Sequence, residues 1–309
     1  MVKYILKRIG AALFTIFIAS AITFIIMNLV PGDPFMSEKA PSEAVLKSLY
    51  AKYGLDKPLI IQFKNYMLNL LRGEFGVSYA LQRNRAIKDI ILESFPISAK
   101  LGAMAIAVAV ITGIPLGCIA ALKRNKLADN VIRILSTLGI SMPGFVVATT
   151  AMIIFSVKLK VLPTYGLKSA SSYVLPVLTL SFYPMCYIAR LMRSSMLEAF
   201  SQDYIRTARA KGMSNFIITF KHALRNSLIP VITYLGPLVG YVMTGSFVVE
   251  QVFNIPGLGR YFVKAINARD YMVIMGTTIF LATFIIIMNL VCDLLYKLVD
   301  PRIKLGEEN

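Results

Sequence analysis

The chain has 309 residues, of which 57% are hydrophobic and only 16% are charged. Soluble domains have about 45–50% apolar and about 25% charged residues, so this composition indicates a membrane protein and excludes an ordinary soluble domain. The net charge of +17 does not indicate a nucleic-acid surface, because the Lys and Arg residues lie between long apolar runs and do not gather on one polar face. Cationic loops that flank membrane spans explain the charge better.

Few residues are suited to chemistry. Cys118, Cys186 and Cys292 lie inside or beside apolar runs and form no C-x-x-C pair, so no disulfide framework or zinc site is predicted. The single histidine, His222, excludes paired-histidine metal sites, and neither a P-loop nor a G-x-S-x-G elbow occurs. We therefore expect a chain that is not an enzyme, has no catalytic residue and binds no metal or cofactor.

Six apolar stretches are each long enough to cross a bilayer, which takes about 20 residues. They are residues 9–30, 98–121, 133–157, 173–193, 228–250 and 272–295. Lys and Arg are more frequent in the loops on the side of the N-terminus than in the short loops 158–172 and 251–271, so both termini are predicted to be cytoplasmic. The first stretch has no A-x-A-like cleavage site, which favours an uncleaved span over a signal peptide.

The spans divide the chain into four predicted parts. Residues 1–30 form the N-terminal end and first span, 31–97 an extracytoplasmic insertion, 98–295 a five-span core, and 296–309 a cytoplasmic tail. Within the insertion, apolar residues recur at helical spacing, which predicts short helices on the outer membrane face. These residues are Ile60, Ile61, Phe63, Tyr66, Met67, Leu70 and Leu71.

Two spans contain residues that interrupt helices. Met142-Pro143-Gly144 and Gly236-Pro237 are predicted to break the third and fifth spans, and such breaks either line a pathway or are simple kinks. Glu250 and Gln251 end the fifth span, where Glu250 is either a pathway carboxylate or a solvated group. The small-residue pairs Gly113/Gly117 and Gly236/Gly240 predict close approach of helix backbones.

The cytoplasmic connection 194–227 is long, basic and amphipathic. A helix is predicted over 196–211 and ends with Gly212 at the C′ position, after which Ser214 caps a second helix that runs to Leu224. One face of this second helix is apolar. That face suits either insertion into the groove of a partner or contact with the bilayer. Its residues are Phe216, Ile217, Phe220 and Leu224.

The motif Arg206-Thr207-Ala208-Arg209-Ala210-Lys211-Gly212, followed by His222-Ala223-Leu224-Arg225-Asn226 and Pro230, resembles the cytoplasmic loop of binding-protein-dependent ABC importer permeases. Only Ala208, Gly212 and Leu224 match the general pattern of that loop. The residues that depart from the pattern resemble the version of the loop in the dipeptide/oligopeptide/nickel branch of the family. Five further blocks that resemble this branch occur in the same order along the chain. They are Leu29–Pro34, Tyr53–Pro58, Gly73–Ser78, Ile255–Arg260 and Asp300–Ile303.

The resemblance implies an all-α, six-helix permease of the type I ABC importer fold in the cell membrane. It implies as partners a second homologous permease, two ATPase subunits that bind ATP and Mg, and an extracytoplasmic substrate-binding protein, but no nucleic acid. Dipeptides or oligopeptides are the expected substrates. Nickel or sugar oligomers are the alternative within the branch, and a non-transporting membrane scaffold is the alternative outside it.

The resemblance also assigns candidate residues. The loop 204–225 would couple the chain to the ATPases, through Arg206, Thr207, Ala208, Arg209, Lys211, Gly212, Phe216, His222, Leu224 and Arg225. The candidates for the translocation path are Pro143, Gly144, Gly236, Pro237, Glu250 and Gln251.

Overall fold

The computed structural model describes residues 2–29, 35 and 43–299, and the side chains among them from 8 to 292. The motif Pro31-Gly32-Asp33-Pro34 and the tail from residue 300 onward lie outside the described residues. Within the described ranges the chain is helical, with one isolated bridge between Val77 and Ala86. The predicted all-α fold class is confirmed.

Five helical segments among the described residues are long and apolar enough to span a membrane. They are Arg8–Leu29, Ile87–Leu122, Ala170–Ser201, Asn215–Val252 and Tyr271–Cys292. A sixth span is formed if the helices Leu127–Ser141 (α5) and Gly144–Lys158, which are bent by 106° at a short break, are counted as one. The predicted break of the third span at Met142-Pro143-Gly144 is therefore confirmed.

The predicted break of the fifth span at Gly236-Pro237 is wrong. Helix α10 (Leu224–Met243) continues through both Pro230 and Pro237. A proline removes one backbone hydrogen bond, but the remaining bonds and the packing of neighbouring helices keep such a helix continuous in a membrane. The helix ends instead before Gly245, which has a φ of +98°, and the short helix α11 (Phe247–Val252) follows.

The α-helices in chain order are as follows. They are α1 (Val2–Leu29), α2 (Glu43–Tyr53), α3 (Leu59–Leu71), α4 (Ile87–Leu122), α5 (Leu127–Ser141), α6 (Gly144–Ala151), α7 (Val174–Ser201), α8 (Asp203–Ala210), α9 (Asn215–Ile217), α10 (Leu224–Met243), α11 (Phe247–Val252), α12 (Leu258–Asn267) and α13 (Tyr271–Val299). A π-helical segment, Met152–Lys158, continues α6, and another, Ile218–Ala223, joins α9 to α10. The chain divides into two compact units, the first containing residues up to Ser98 and Pro256–Ile287, the second containing Ala99–Ile255.

Helix α7 is the centre of the second unit, where it contacts α5, α6, α8, α10 and α11. Close approaches of a helix to α7 occur at glycines. A Cβ atom added to Gly113 would lie 2.8 Å from the carbonyl oxygen of Met185, and one added to Gly117 would lie 2.5 Å from that of Ala189. The predicted close packing at Gly113/Gly117 is thus confirmed, because no other residue type fits at these distances.

The first unit contains α2 and α3, which confirms that residues 43–71 form short helices. Its polar centre is Asp270, which is fully buried before the first turn of α13. Asp270 accepts hydrogen bonds from the Ser78 hydroxyl at 2.5 Å and from the backbone amides of Tyr79, Ala80 and Leu81 at 2.9–3.1 Å. One buried carboxylate therefore accepts hydrogen bonds from a hydroxyl and three successive backbone amides of a single turn.

A second polar contact in the first unit joins α4 to the start of α12. The buried Ser98 hydroxyl accepts a hydrogen bond from the backbone amide of Leu258 at 2.8 Å. Close to Asp270, burial and the neighbouring negative charge hold the pKa of the Tyr79 phenol well above its usual range.

Candidate coupling site and path residues

The loop between α7 and α10 is built around the end of α8. Gly212 has a φ of +73°, a conformation that glycine adopts without steric cost. Its backbone amide donates to the carbonyl of Arg209 at 2.9 Å, and the amide of Met213 donates to the carbonyl of Ala208 at 3.3 Å. These two bonds form a Schellman motif, which satisfies carbonyls at the helix end and reverses the chain. The prediction of Gly212 at C′ is confirmed.

Two inward-facing residues attach α8 to the core of the second unit. Ile205 is fully buried and Ala208 is 5% exposed. Both belong to one apolar cluster with Met192 and Met196 of α7, together with Ile218. Because buried side chains pack at crystal-like density, a displacement of α8 is transmitted to α7 and is not absorbed by empty space.

The helices around this loop differ from the prediction at two points. The first helix does not run unbroken over 196–211, because Gln202 has extended backbone and separates α7 from α8. Ser214 caps the second helix as predicted and accepts a hydrogen bond from the amide of Ile217 at 3.4 Å. That helix does not stop at Leu224, however, but continues through the π-helical segment into α10, which runs to Met243.

The outward face of the loop combines aromatic rings with cations. Phe216 is 70% exposed and Phe220 is 49% exposed, and their ring centroids lie 4.7 Å apart. Positively charged side chains on the same loop are also exposed. They are Arg206, Arg209, Lys211, Lys221 and Arg225. Exposed aromatic groups beside arginines are characteristic of surfaces that bind another protein.

The ten predicted coupling residues therefore divide into two groups. Ala208 and Leu224 pack against the core, and His222 is half-buried, with a buried Nε2 that has no hydrogen-bond partner among the described residues. The other seven are exposed. They are Arg206, Thr207, Arg209, Lys211, Gly212, Phe216 and Arg225. The loop thus has an anchored inner face and a free outer face.

The sequence-based reasoning missed the residues that anchor the loop. Ile205, Ile218 and Ala223 are all at most 2% exposed and belong to the apolar cluster. The spacing of Ile205 and Ala208, three residues apart in an otherwise polar helix, was the available signal. Helical periodicity could not show that Ile218 is buried while the neighbouring Phe216 and Phe220 are exposed. The π-helical segment changes the rotation per residue, so the α-helical spacing does not apply there.

The candidate path residues lie on separate elements of the second unit. Pro143 and Gly144 are exposed at the bend between α5 and α6, whereas Gly236 is buried and Pro237 is exposed within the continuous helix α10. On α11, Glu250 is fully buried while Gln251 is exposed. A solvated Glu250, one of the two predicted alternatives, is thus wrong. Among the described residues, no cluster of three or more His, Cys, Asp or Glu side chains is positioned for a metal ion.

Two family models match the chain. The model described as the inner membrane component of binding-protein-dependent transport systems matches residues 113–305, and the model of the N-terminal part of such components matches residues 1–102. Together they cover nearly the whole sequence.

Several curated proteins are similar along their full length. The dipeptide transport system permease protein DppB of Bacillus subtilis is 49% identical over 308 residues, with 100% of both chains covered. The oligopeptide transport system permease protein OppB of Haemophilus influenzae is 42% identical, with 98% of this chain and 100% of the relative covered. DppB of Lactococcus lactis subsp. cremoris is 41% identical, with 99% and 100% covered.

A solved structure supports the fold. The MetNI methionine ABC transporter, in an inward-facing conformation, contains a chain that matches with a TM-score of 0.54 at 15% sequence identity. The match covers 68% of this chain and 96% of that chain. At this identity the similarity concerns the fold alone. The family matches and the full-length relatives show that the chain belongs to the family of inner membrane components of binding-protein-dependent transport systems, the permease subunits of ABC importers.

Proposed function

We propose that this chain is a peptide-importing permease subunit that forms half of a translocation path. The full-length relatives carry the substrate part of this proposal, since they are named as dipeptide and oligopeptide permeases and align over 98–100% of this chain. The second half of the path comes from a homologous permease, and an extracytoplasmic binding protein delivers the peptide. In this arrangement the N- and C-termini are cytoplasmic.

The observation that carries the coupling role is the two-faced loop around Gly212. Its outer face exposes the Phe216–Phe220 ring pair among cations, and its inner face is anchored through Ile205 and Ala208. An aromatic pair that enters an apolar groove of an ATPase subunit would become buried, and the flanking arginines would meet acidic side chains at the groove rim.

The chain itself makes and breaks no bonds in this proposal. ATP and Mg bind to the two partner ATPases, and closure of those subunits moves the docked loop. The buried cluster of α8 and α7 passes the movement to the helices that surround α7 in the second unit. The work done on the substrate is mechanical, as in other transporters that alternate access around a membrane path.

The proposal is tested by reconstituting this chain with a second permease, the ATPases and the binding protein in proteoliposomes. Labelled dipeptides and oligopeptides are expected to accumulate in an ATP-dependent manner, whereas nickel ions and sugar oligomers are not. Uptake of nickel or sugar instead of peptide would show that the proposed substrate is wrong. The absence of any ATP-dependent uptake would favour a non-transporting scaffold.

The coupling surface is tested by the double substitution Phe216→Ala/Phe220→Ala. We expect substrate-stimulated ATP hydrolysis and uptake to fall about tenfold or more, because aromatic anchors dominate the binding free energy of such interfaces. The matched control is Phe14→Ala, which removes an equally exposed ring (66%) from α1. Normal stimulation in the double variant would overturn the assignment of this surface.

A further inference from the structure

A buried ion pair connects α5 to α7 in the second unit. The Nε and Nη2 atoms of Arg193 donate to the two carboxylate oxygens of Asp129 at 2.5 and 2.8 Å. The Asp129 side chain is fully buried and that of Arg193 is 20% exposed. The backbone amide of Asn125 also donates to Asp129, at 2.8 Å. A single carboxylate thus holds both the α4–α5 turn and α7.

An ion pair at this position is not explained by stability alone. Removing charges from water offsets most of their mutual attraction, so apolar side chains of similar volume stabilise a protein equally well. What a bidentate pair adds is geometry, because two parallel hydrogen bonds define the rotation and axial register of one helix relative to the other. The pair Asp129–Arg193 therefore determines how α5 is seated on α7.

The pair lies between the apolar cluster that anchors α8 and the bend at Pro143-Gly144. Arg193 is adjacent in sequence to Met192, whose side chain packs in the cluster that anchors Ile205 and Ala208. At its other end α5 leads to Pro143-Gly144, where the chain bends by 106°. Along the same interface, a Cβ atom added to Gly139 would lie 2.4 Å from Sγ of Cys186, so α5 contacts α7 closely at this second point as well.

We propose that Asp129 and Arg193 are positioning residues that make α5, and with it the bend at Pro143-Gly144, follow movements of α7. This inference rests on the proposed function, because it takes the loop around Gly212 as the source of those movements. Without the pair, α7 still responds to the ATPases, but α5 lacks the bidentate contact that defines its rotation and register on α7, and the contact at Gly139 remains. A complex that contains such a variant still hydrolyses ATP through its ATPase subunits but transports less substrate.

The decisive variant is the apolar replacement Asp129→Leu/Arg193→Met, which removes the hydrogen bonds without leaving a buried charge unpaired. We expect normal amounts of assembled complex and normal stimulated ATP hydrolysis, with the number of substrate molecules imported per ATP reduced about fivefold or more, at the lower end of typical couplings between sites. The conservative change Arg193→Lys, which keeps the charge but loses the bidentate geometry, should reduce the same ratio.

The charge exchange Asp129→Arg/Arg193→Asp, which recreates the pair in the opposite sense, should recover part of the ratio. The control is Glu93→Gln, which breaks the more exposed ion pair of Glu93 with Arg85 in the first unit. An unchanged ratio in the apolar variant, even with less complex recovered, would show a purely structural pair and overturn the inference. Failure of the proposed function is distinguishable, because the unsubstituted complex would then show no ATP-dependent uptake at all.

Discussion

The two compact units each contain a prominent internal contact, and these two contacts differ in kind. In the second unit, helices meet α7 at glycines, where backbone and side-chain atoms approach within 2.4–2.8 Å of an added Cβ. In the first unit, one carboxylate collects hydrogen bonds from a turn that lies about 190 residues earlier in the sequence. Apolar side chains contact lipid tails about as favourably as they contact another helix, so the association of helices in a membrane depends on complementary shape and close packing. A polar turn instead requires specific partners for its amides.

The largest effect should come from filling a glycine contact of the second unit. The substitution Gly117→Val places side-chain atoms where the carbonyl of Ala189 and the Cβ of Met192 already lie. We expect destabilisation of about 3 kcal/mol or more, because backbone atoms have no room to move aside. The yield of monodisperse protein in detergent and its thermal unfolding midpoint measure the effect.

The control for this prediction is Gly10→Val on α1, where an added Cβ meets nothing within 4 Å. Equal losses at both positions would show that β-branching in a helix is responsible, and that contact with α7 is not.

A comparable but more local effect is expected from Asp270→Ala in the first unit. It leaves the amides of Tyr79, Ala80 and Leu81 without their acceptor in a buried site. Hydrogen bonds to a charged group contribute about 1.5–3 kcal/mol each but are not additive, so we expect a loss of about 3 kcal/mol. Hydrogen exchange of residues 78–81 should accelerate, while exchange in α7 and α10 should not change.

Asp56→Ala is the matched control, since Asp56 is exposed and lies in the same insertion as residues 78–81. If exchange of residues 78–81 were insensitive to Asp270→Ala, the carboxylate would not be what holds this turn.

A smaller stability effect with a large functional one is expected from Gly212→Ala. Open space surrounds Gly212, so the cost is limited to the positive φ, about 1 kcal/mol. The Schellman turn sets the angle between α8 and α9, and stimulated ATP hydrolysis by the reconstituted complex should therefore fall. Gly212→Asn should recover part of the activity, because Asn tolerates this conformation.

Gly54→Ala provides the comparison, since Gly54 also has a positive φ of +68° and an uncrowded site. It should lose similar stability without affecting ATP hydrolysis. Equal functional losses in both variants would remove the special role of the loop.

The smallest effect is expected at the exposed pair formed by Arg206 and Asp203. The atoms lie 3.2 Å apart, with side-chain exposures of 75% and 94%. Asp203→Asn should change stability by less than about 0.5 kcal/mol, since solvent and salt screen such pairs. Arg206→Glu, by contrast, should weaken docking to the ATPases with little change in unfolding. Co-purification of the ATPases separates the two outcomes.

Much of the fold could be predicted from sequence, because hydropathy over about 20 residues is a strong signal. The end of α8 was equally predictable, since glycine at C′ followed by Ser214 leaves few alternatives. The continuity of α10 was not, because whether a helix survives a proline depends on its neighbours. The break at Gly245 had a usable signal in Ser246, which caps α11 through the amide of Val249.

The polar contacts were the least predictable part. Asp270 precedes an apolar run, as an N-cap residue would, but its partners at residues 78–81 depend on tertiary structure. The same holds for Asp129, whose partner Arg193 is 64 residues away. The anchoring role of Ile205 was recoverable from spacing, whereas the burial of Glu250 was not, since its position at a predicted span end suited either environment.

The two prolines of α10 give this helix a preferred plane of bending. Pro230 and Pro237 are seven residues apart and both exposed, and seven residues make about two full turns. The hydrogen bonds that the prolines remove are therefore missing along one face, while the opposite face keeps its bonds. A force applied at Phe216 reaches α10 through an uninterrupted backbone. The helix should then bend more easily in one direction than in the others when it is pushed at the end that joins this loop.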